Sequence, residues 1–137
     1  IDHNSCGILI ECAQQYDLIV SFLRVFDLTP DRAAAIRILT NIGIDRILTT
    51  GIRGWKIDEV NIERRIETLK RDVLTAQQAS ASQDREPVQI MPGGGIRCSN
   101  VMEFASVSPF LHSSCRSNGE FNVEELIAIK NVLNQMT

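Results

Sequence analysis

The sequence that could hold an anion most directly is Pro92-Gly93-Gly94-Gly95. Three glycines in a row let backbone N–H groups approach a charged group closely. A tight turn needing positive φ is the competing reading of the same residues. The run lacks the G-x-x-x-x-G-K-[ST] and G-x-G-x-x-G spacings. Thr49, Thr50 and Gly51, and further on His112, Ser113, Ser114, Cys115 and Arg116, supply hydroxyl, imidazole and thiol groups. Gly93, Gly94, Gly95, Thr49, Gly51 and Ser113 form the candidate anion-binding set. Arg24, Asp27 and His112 are the candidate catalytic residues. Arg24 and Asp27 could pair with each other or contact a ligand. His112 could act as a base or simply as a satisfied histidine at a strand end. His112 and Ser113 would face opposite ways on a strand, so they are no ready nucleophile dyad.

Soft metal ligands form a second group. Cu(I) prefers thiolate and thioether, and Met91, Cys98 and Cys115 are expected at one end of a sheet. Cys6 and Cys12 are six apart, about 600° of helical rotation, and do not share a face. The four cysteines show neither C-x-x-C nor zinc-finger spacing with His3 and His112. Reduced thiols in a cytoplasmic protein are the expectation.

These residues need positioning, and the pattern around them alternates. Cys6–Tyr16 carries a helical apolar stripe, and Leu18–Phe26 is a nearly continuous apolar run of strand type. On that strand Ser21, Leu23, Val25 and Asp27 would share one face, with Phe22, Arg24 and Phe26 on the other. Thr29 and Pro30 read as the cap and first residue of a helix through Ala33, Ile36, Leu39 and Ile42, stopped by Gly43. Ile44–Thr50 reads as a second strand. Asp58–Ala79 reads as a long helix, apolar at Val60, Ile66, Leu69 and Val73, with Glu63, Arg64, Glu67, Lys70 and Arg71 on a solvated side. Ala79–Glu86 is a polar connector. Pro87–Met91 is a third strand, Ser99 caps a short helix, Phe110–His112 is a fourth strand, and Asn122 or Val123 opens a last helix. Repeated helix–strand units imply an α/β fold with parallel strands, a doubly wound sheet or a β/α barrel. In both, ligands bind beyond the carboxyl ends of the strands.

Composition narrows the function. The 137 residues form one domain, 1–137, with 44% hydrophobic and 23% charged residues, which excludes intrinsic disorder. The net charge of −3 argues against nucleic acid as a partner. Leu18–Phe26 is too short to span a membrane and contains Arg24. The chain begins Ile1-Asp2-His3 without Met and shows no secretory leader, which predicts a piece of something longer or a processed product.

Four ordered segments resemble one family. Ser21-Phe22-Leu23-Arg24-Val25-Phe26-Asp27, Asp45-Arg46-Ile47-Leu48-Thr49-Thr50-Gly51, Ile90-Met91-Pro92-Gly93-Gly94-Gly95-Ile96 and Leu111-His112-Ser113-Ser114 are similar to the motifs of the CutC copper-homeostasis family. The resemblance implies the C-terminal half, strands five to eight, of a (β/α)8 TIM-type barrel: four strands, cytoplasmic, often oligomeric, tied to copper handling with copper(I) as the possible ion. The family is about twice as long, and the cysteines proposed to bind Cu(I) in its animal members fall in the half absent here. Its first motif usually reads F-H-R-A-F-D. Leu23 stands here in place of the histidine and Val25 in place of the alanine, so no ligand or proton-transfer role carries over to position 23. The partner implied is a second copy or a complementary N-terminal half barrel, because parallel edge strands are left open. The competing reading is an enzyme or enzyme relic acting on a small phosphorylated or anionic substrate.

Overall fold

A computed structural model describes residues 1–82 and 85–135. Helix α1 (His3–Gln14) is capped by Asp2, whose carboxylate accepts from the N–H groups of Asn4 and Ser5. Strand β1 is only Ser21–Phe22, and a 3₁₀ turn follows at Arg24–Leu28. Helix α2 (Arg32–Ile42), strand β2 (Arg46–Thr49), a second 3₁₀ turn (Ile57–Glu59), helix α3 (Ile62–Ala81) and strand β3 (Gln89–Pro92) come next. Helix α4 (Val101–Ala105), a hairpin of β4 (Arg116–Ser117) and β5 (Glu120–Phe121), and helix α5 (Val123–Asn134) complete the described chain.

The central sheet is parallel in the order β1-β2-β3. Ser21 stands opposite Arg46, and Ile47, Leu48 and Thr49 stand opposite Ile90, Met91 and Pro92. The alternation of strand and helix therefore gives the parallel α/β arrangement expected. The fourth strand does not form as such. The segment around His112 lies parallel to β3 but makes one isolated bridge, Gly93 to His112, with the His112 N–H donating to the Pro92 carbonyl at 2.9 Å. Just upstream, the Ser108 hydroxyl donates to the Ile90 carbonyl at 2.6 Å and accepts from the Phe110 N–H. A side chain thus takes the acceptor that a longer ladder would have used. Three strands and a bridge do not close a barrel.

Beta1 is shorter than expected for a similar reason. The chain must turn at once so that Asp27 can reach the end of β2, and the period changes from two to three. Arg24 and Asp27 consequently share a face instead of opposing each other. Thr29 does not cap α2: its hydroxyl donates back to the Phe26 carbonyl, and Asp31 caps instead, accepting from Ala34 N–H. Gly43 does end α2, at φ +89°. Helix α3 starts at Ile62, capped by Asn61, rather than at Asp58. Asn100, not Ser99, precedes α4. The Ala79–Glu86 connector is helical up to Ala81 and includes 83–84, which lie outside the described residues.

The core lies between the sheet and helices α2 and α3. Ile36, Leu39, Ile47, Leu69, Val101 and Phe104 are fully buried in it. Fully burying side chains of this size contributes about 1.5–3 kcal/mol each. Ile47 and Leu48, on opposite faces of β2, are both buried, while the flanks are open. Leu18, Ile19, Leu23 and Val25 beside β1, Ile8 and Leu9 on α1, and Val123 and Ile127 on α5 are all exposed.

Candidate functional site

At the carboxyl ends of β1 and β2, the Asp27 carboxylate, 1% exposed, organises the site. Its Oδ1 accepts from Arg32 Nη1 at 3.0 Å and from the Thr49 hydroxyl at 2.5 Å. Its Oδ2 accepts from the Thr50 N–H at 3.0 Å and the Thr50 hydroxyl at 2.8 Å. Arg24 Nε stands 3.7 Å from Oδ2. All four acceptor positions of the carboxylate are occupied. Asp27 is thereby a structural centre, with no lone pair free for a ligand.

Arg32 reaches this centre from α2. It also binds Asp72 of α3 through Nε and Nη2, donates from Nη2 to the Thr49 hydroxyl at 2.8 Å, and stacks over Phe26 at 4.6 Å. Burial pushes the Arg32 pKa down, but the pairs with Asp72 and Asp27 outweigh it and the net direction is up. For Asp72 burial wins: its carboxyl is held above the usual range in spite of Arg32.

A second buried cation holds the glycine turn. Arg65 of α3, 3% exposed, donates from Nε to the Thr50 carbonyl at 2.8 Å. Its Nη2 donates to the carbonyls of Gly93 at 3.1 Å and Gly94 at 2.7 Å, and the guanidinium lies over Phe104 at 4.7 Å. Burial lowers its pKa, the Asp27 charge raises it and the nearby Arg24 lowers it. The turn must be glycine where it touches Thr50. Gly94 has φ +75°, and a Cβ there would lie 2.7 Å from both Ile57 Cδ1 and Thr50 Cγ2. Gly51 likewise has φ +77°, and a Cβ would lie 2.8 Å from the Arg65 carbonyl oxygen.

The expected site residues are therefore partly gathered. Arg24, Asp27, Thr49, Gly51, Gly93, Gly94 and Gly95 surround the strand ends. His112 adjoins Gly93 through the single bridge, with its side chain exposed. The Ser113 hydroxyl donates to the Ile96 carbonyl at 2.9 Å, and the Thr49 hydroxyl is spent on Asp27. Arg32, Arg65 and Asp72 went unrecognised in the sequence. Their positions did carry a sign: Arg65, Leu69, Asp72, Ala76 and Ala79 fall on one buried stripe of α3, so two charged residues there demand partners.

The CutC family profile matches residues 1–117. The chain belongs to the CutC family. Among curated relatives it is 36% identical over 99 residues to a CutC family protein of Serratia proteamaculans, covering 72% of this chain and 33% of that one. It is 31% identical over 121 residues to the human copper homeostasis protein cutC homolog, covering 85% of this chain and 38% of that one. A crystal structure of CutC from Streptococcus agalactiae superposes with a TM-score of 0.63 at 25% identity, covering 82% of this chain and 49% of that one. The chain thus spans about a third of the curated CutC relatives and about half of the solved CutC chain.

Among the described residues no three His, Cys, Asp or Glu side chains converge as a metal group. The Cys98 thiol faces Glu125 Oε2 at 3.7 Å, and the buried Cys115 thiol faces the Ser113 hydroxyl at 3.5 Å. Met91 lies within β3, on the face opposite Ile90 and Pro92. All four cysteines are free, and no helix among the described residues is long and apolar enough to cross a membrane.

Proposed function

We propose that this chain acts in copper homeostasis as the C-terminal half of a CutC-type (β/α)8 barrel, in the cytoplasm. The observation that carries the reading is the family match over residues 1–117, on a parallel sheet whose neighbour is a CutC structure. The coverage of about half that neighbour, together with apolar residues exposed beside β1 and along α5, supports completion by a complementary N-terminal half barrel or by a second copy. Free thiols suit a reducing compartment.

Growth tests the reading. In a bacterium lacking its own CutC protein, expression of the folded chain together with an N-terminal CutC half barrel is expected to change the copper concentration that halts growth, with zinc and cobalt series unchanged. Superimposable copper curves with and without the chain overturn it.

A further inference from the structure

Three guanidiniums, of Arg24, Arg32 and Arg65, meet two carboxylates, of Asp27 and Asp72, at the ends of β1 and β2. The charge of Asp58 also acts on Arg65, so three carboxylates face the three guanidiniums. Arg32 has Asp27 and Asp72, and Arg65 has three backbone carbonyls. Arg24 is left over. Asp27 already accepts two hydrogen bonds on each oxygen, so its carboxylate offers Arg24 only a 3.7 Å ion pair. Arg24 Nε and Nη2 are both buried and have no hydrogen-bond partner among the described residues. A buried donor without an acceptor is costly. Nε and Nη2 are also the two parallel donors along one edge of a guanidinium, the edge that matches two oxygens of a carboxylate or a phosphate. The Trp55 ring covers the guanidinium, its centroid 4.9 Å away, while Trp55 itself is 56% exposed.

We propose that Arg24, beneath Trp55, is the receptor for a small oxyanion group, a carboxylate or a phosphate, at the mouth of the sheet. The anion supplies the acceptor that Asp27 cannot. Of the glycine turn's own donors, the Gly93 N–H is spent on the Thr49 carbonyl at 2.8 Å. This site is independent of the copper reading: it uses no thiol, and its readout does not involve a metal.

Trp55 is the only tryptophan in the chain, so selectively excited tryptophan fluorescence reports the site alone. Titration with inorganic phosphate, and separately with acetate, at ionic strength held constant with chloride, is expected to give a saturable change with a midpoint on the order of 1–10 mM. Saturation by phosphate alone assigns the ligand to phosphate compounds, by acetate alone to carboxylates, and by both to the shared oxyanion chemistry. Arg24→Gln is expected to weaken the midpoint at least about tenfold, and Arg24→Lys, which keeps the charge but not the fork, to weaken it as well. Should Arg24→Gln fail to fold, the Arg24 Nε–H resonance of the unaltered protein decides, moving in step with the fluorescence. A change that never saturates, one that chloride reproduces, an unaltered midpoint in the folded Gln variant, or a stationary Nε–H resonance overturns the proposal.

Discussion

Asp27→Asn offers the most direct measurement of what holds the strand ends together. The substitution keeps the volume and removes the charge. It also replaces one acceptor oxygen by an NH2 group facing donors: Arg32 Nη1 and the Thr49 hydroxyl at one oxygen, or the Thr50 N–H and hydroxyl at the other. Either orientation sets donor against donor and leaves Arg32 with Asp72 as its one remaining ion-pair partner. Breaking a buried pair by removing one partner costs about 3–5 kcal/mol, against a typical total stability of about 5–15 kcal/mol. With an unfolding entropy of about 2.1 cal/mol/K per residue, the 137 residues correspond to about 0.3 kcal/mol/K. The expected fall in Tm is therefore about 10–17 °C. Urea unfolding followed by far-ultraviolet circular dichroism measures the loss directly, with an unchanged m-value showing that the unfolded state is not what moved. Glu59→Gln is the control: it removes the exposed pair Lys56–Glu59, 2.9 Å apart, and should cost under about 1 kcal/mol. An Asp27→Asn protein within about 1 kcal/mol of the unaltered chain would refute the argument that this carboxylate is the centre of the network.

Three other outcomes follow from the same structure. Gly94→Ala must place a Cβ 2.7 Å from Thr50 and Ile57 at φ +75°, and is expected to lose about 2–4 kcal/mol in the same urea assay, whereas Gly54→Ala, with open space around it, should lose only the backbone-strain part. Asp72, whose carboxyl is raised mainly by burial, binds its proton more tightly folded than unfolded. Its contribution to stability is therefore greatest below the ordinary carboxyl range and is lost as pH rises through the raised value, so Asp72→Asn should flatten the fall in stability between about pH 4 and neutrality, measured by urea midpoints across that window. The isolated chain should not remain monomeric in light scattering at high concentration, and replacing exposed Leu23 and Ile127 by Glu should shift it toward monomer.

Much of the fold was legible because apolar spacing reflects burial directly. The helices around Ile36 and Leu39 and around Leu69, the strand through Ile47 and the turn at Gly93–Gly95 all lie where the pattern places them. The illegible parts depend on partners far away in the chain. Leu18–Phe26 has strand composition, but Asp27 is drawn toward Thr49 and Thr50, 22 and 23 residues on, and the strand gives way to a 3₁₀ turn after Phe22. The segment at His112 has strand composition too, yet Ser108 consumes the acceptor on Ile90. The hairpin at Arg116–Phe121 was missed because its strands are two residues each and exposed, with no alternation long enough to read. In the site, Arg24, Asp27, Thr49 and Gly51 were visible through motif and position. Arg65 and Asp72 were hidden inside a helix whose other charges are solvated, and only the phase of the buried stripe distinguishes them.

Arg65 crosses from a helix to grip the main chain of two different strand ends at once. The rim of the sheet therefore has no shape of its own before that helix docks. Amide protons near Thr50 and Gly93 should exchange with solvent in a single concerted opening with the first turns of α3, even though the two strands they follow are only four residues each. Receptor geometry here is inherited from tertiary assembly, and a loosened helix would erase the opening's shape before it unravelled a strand.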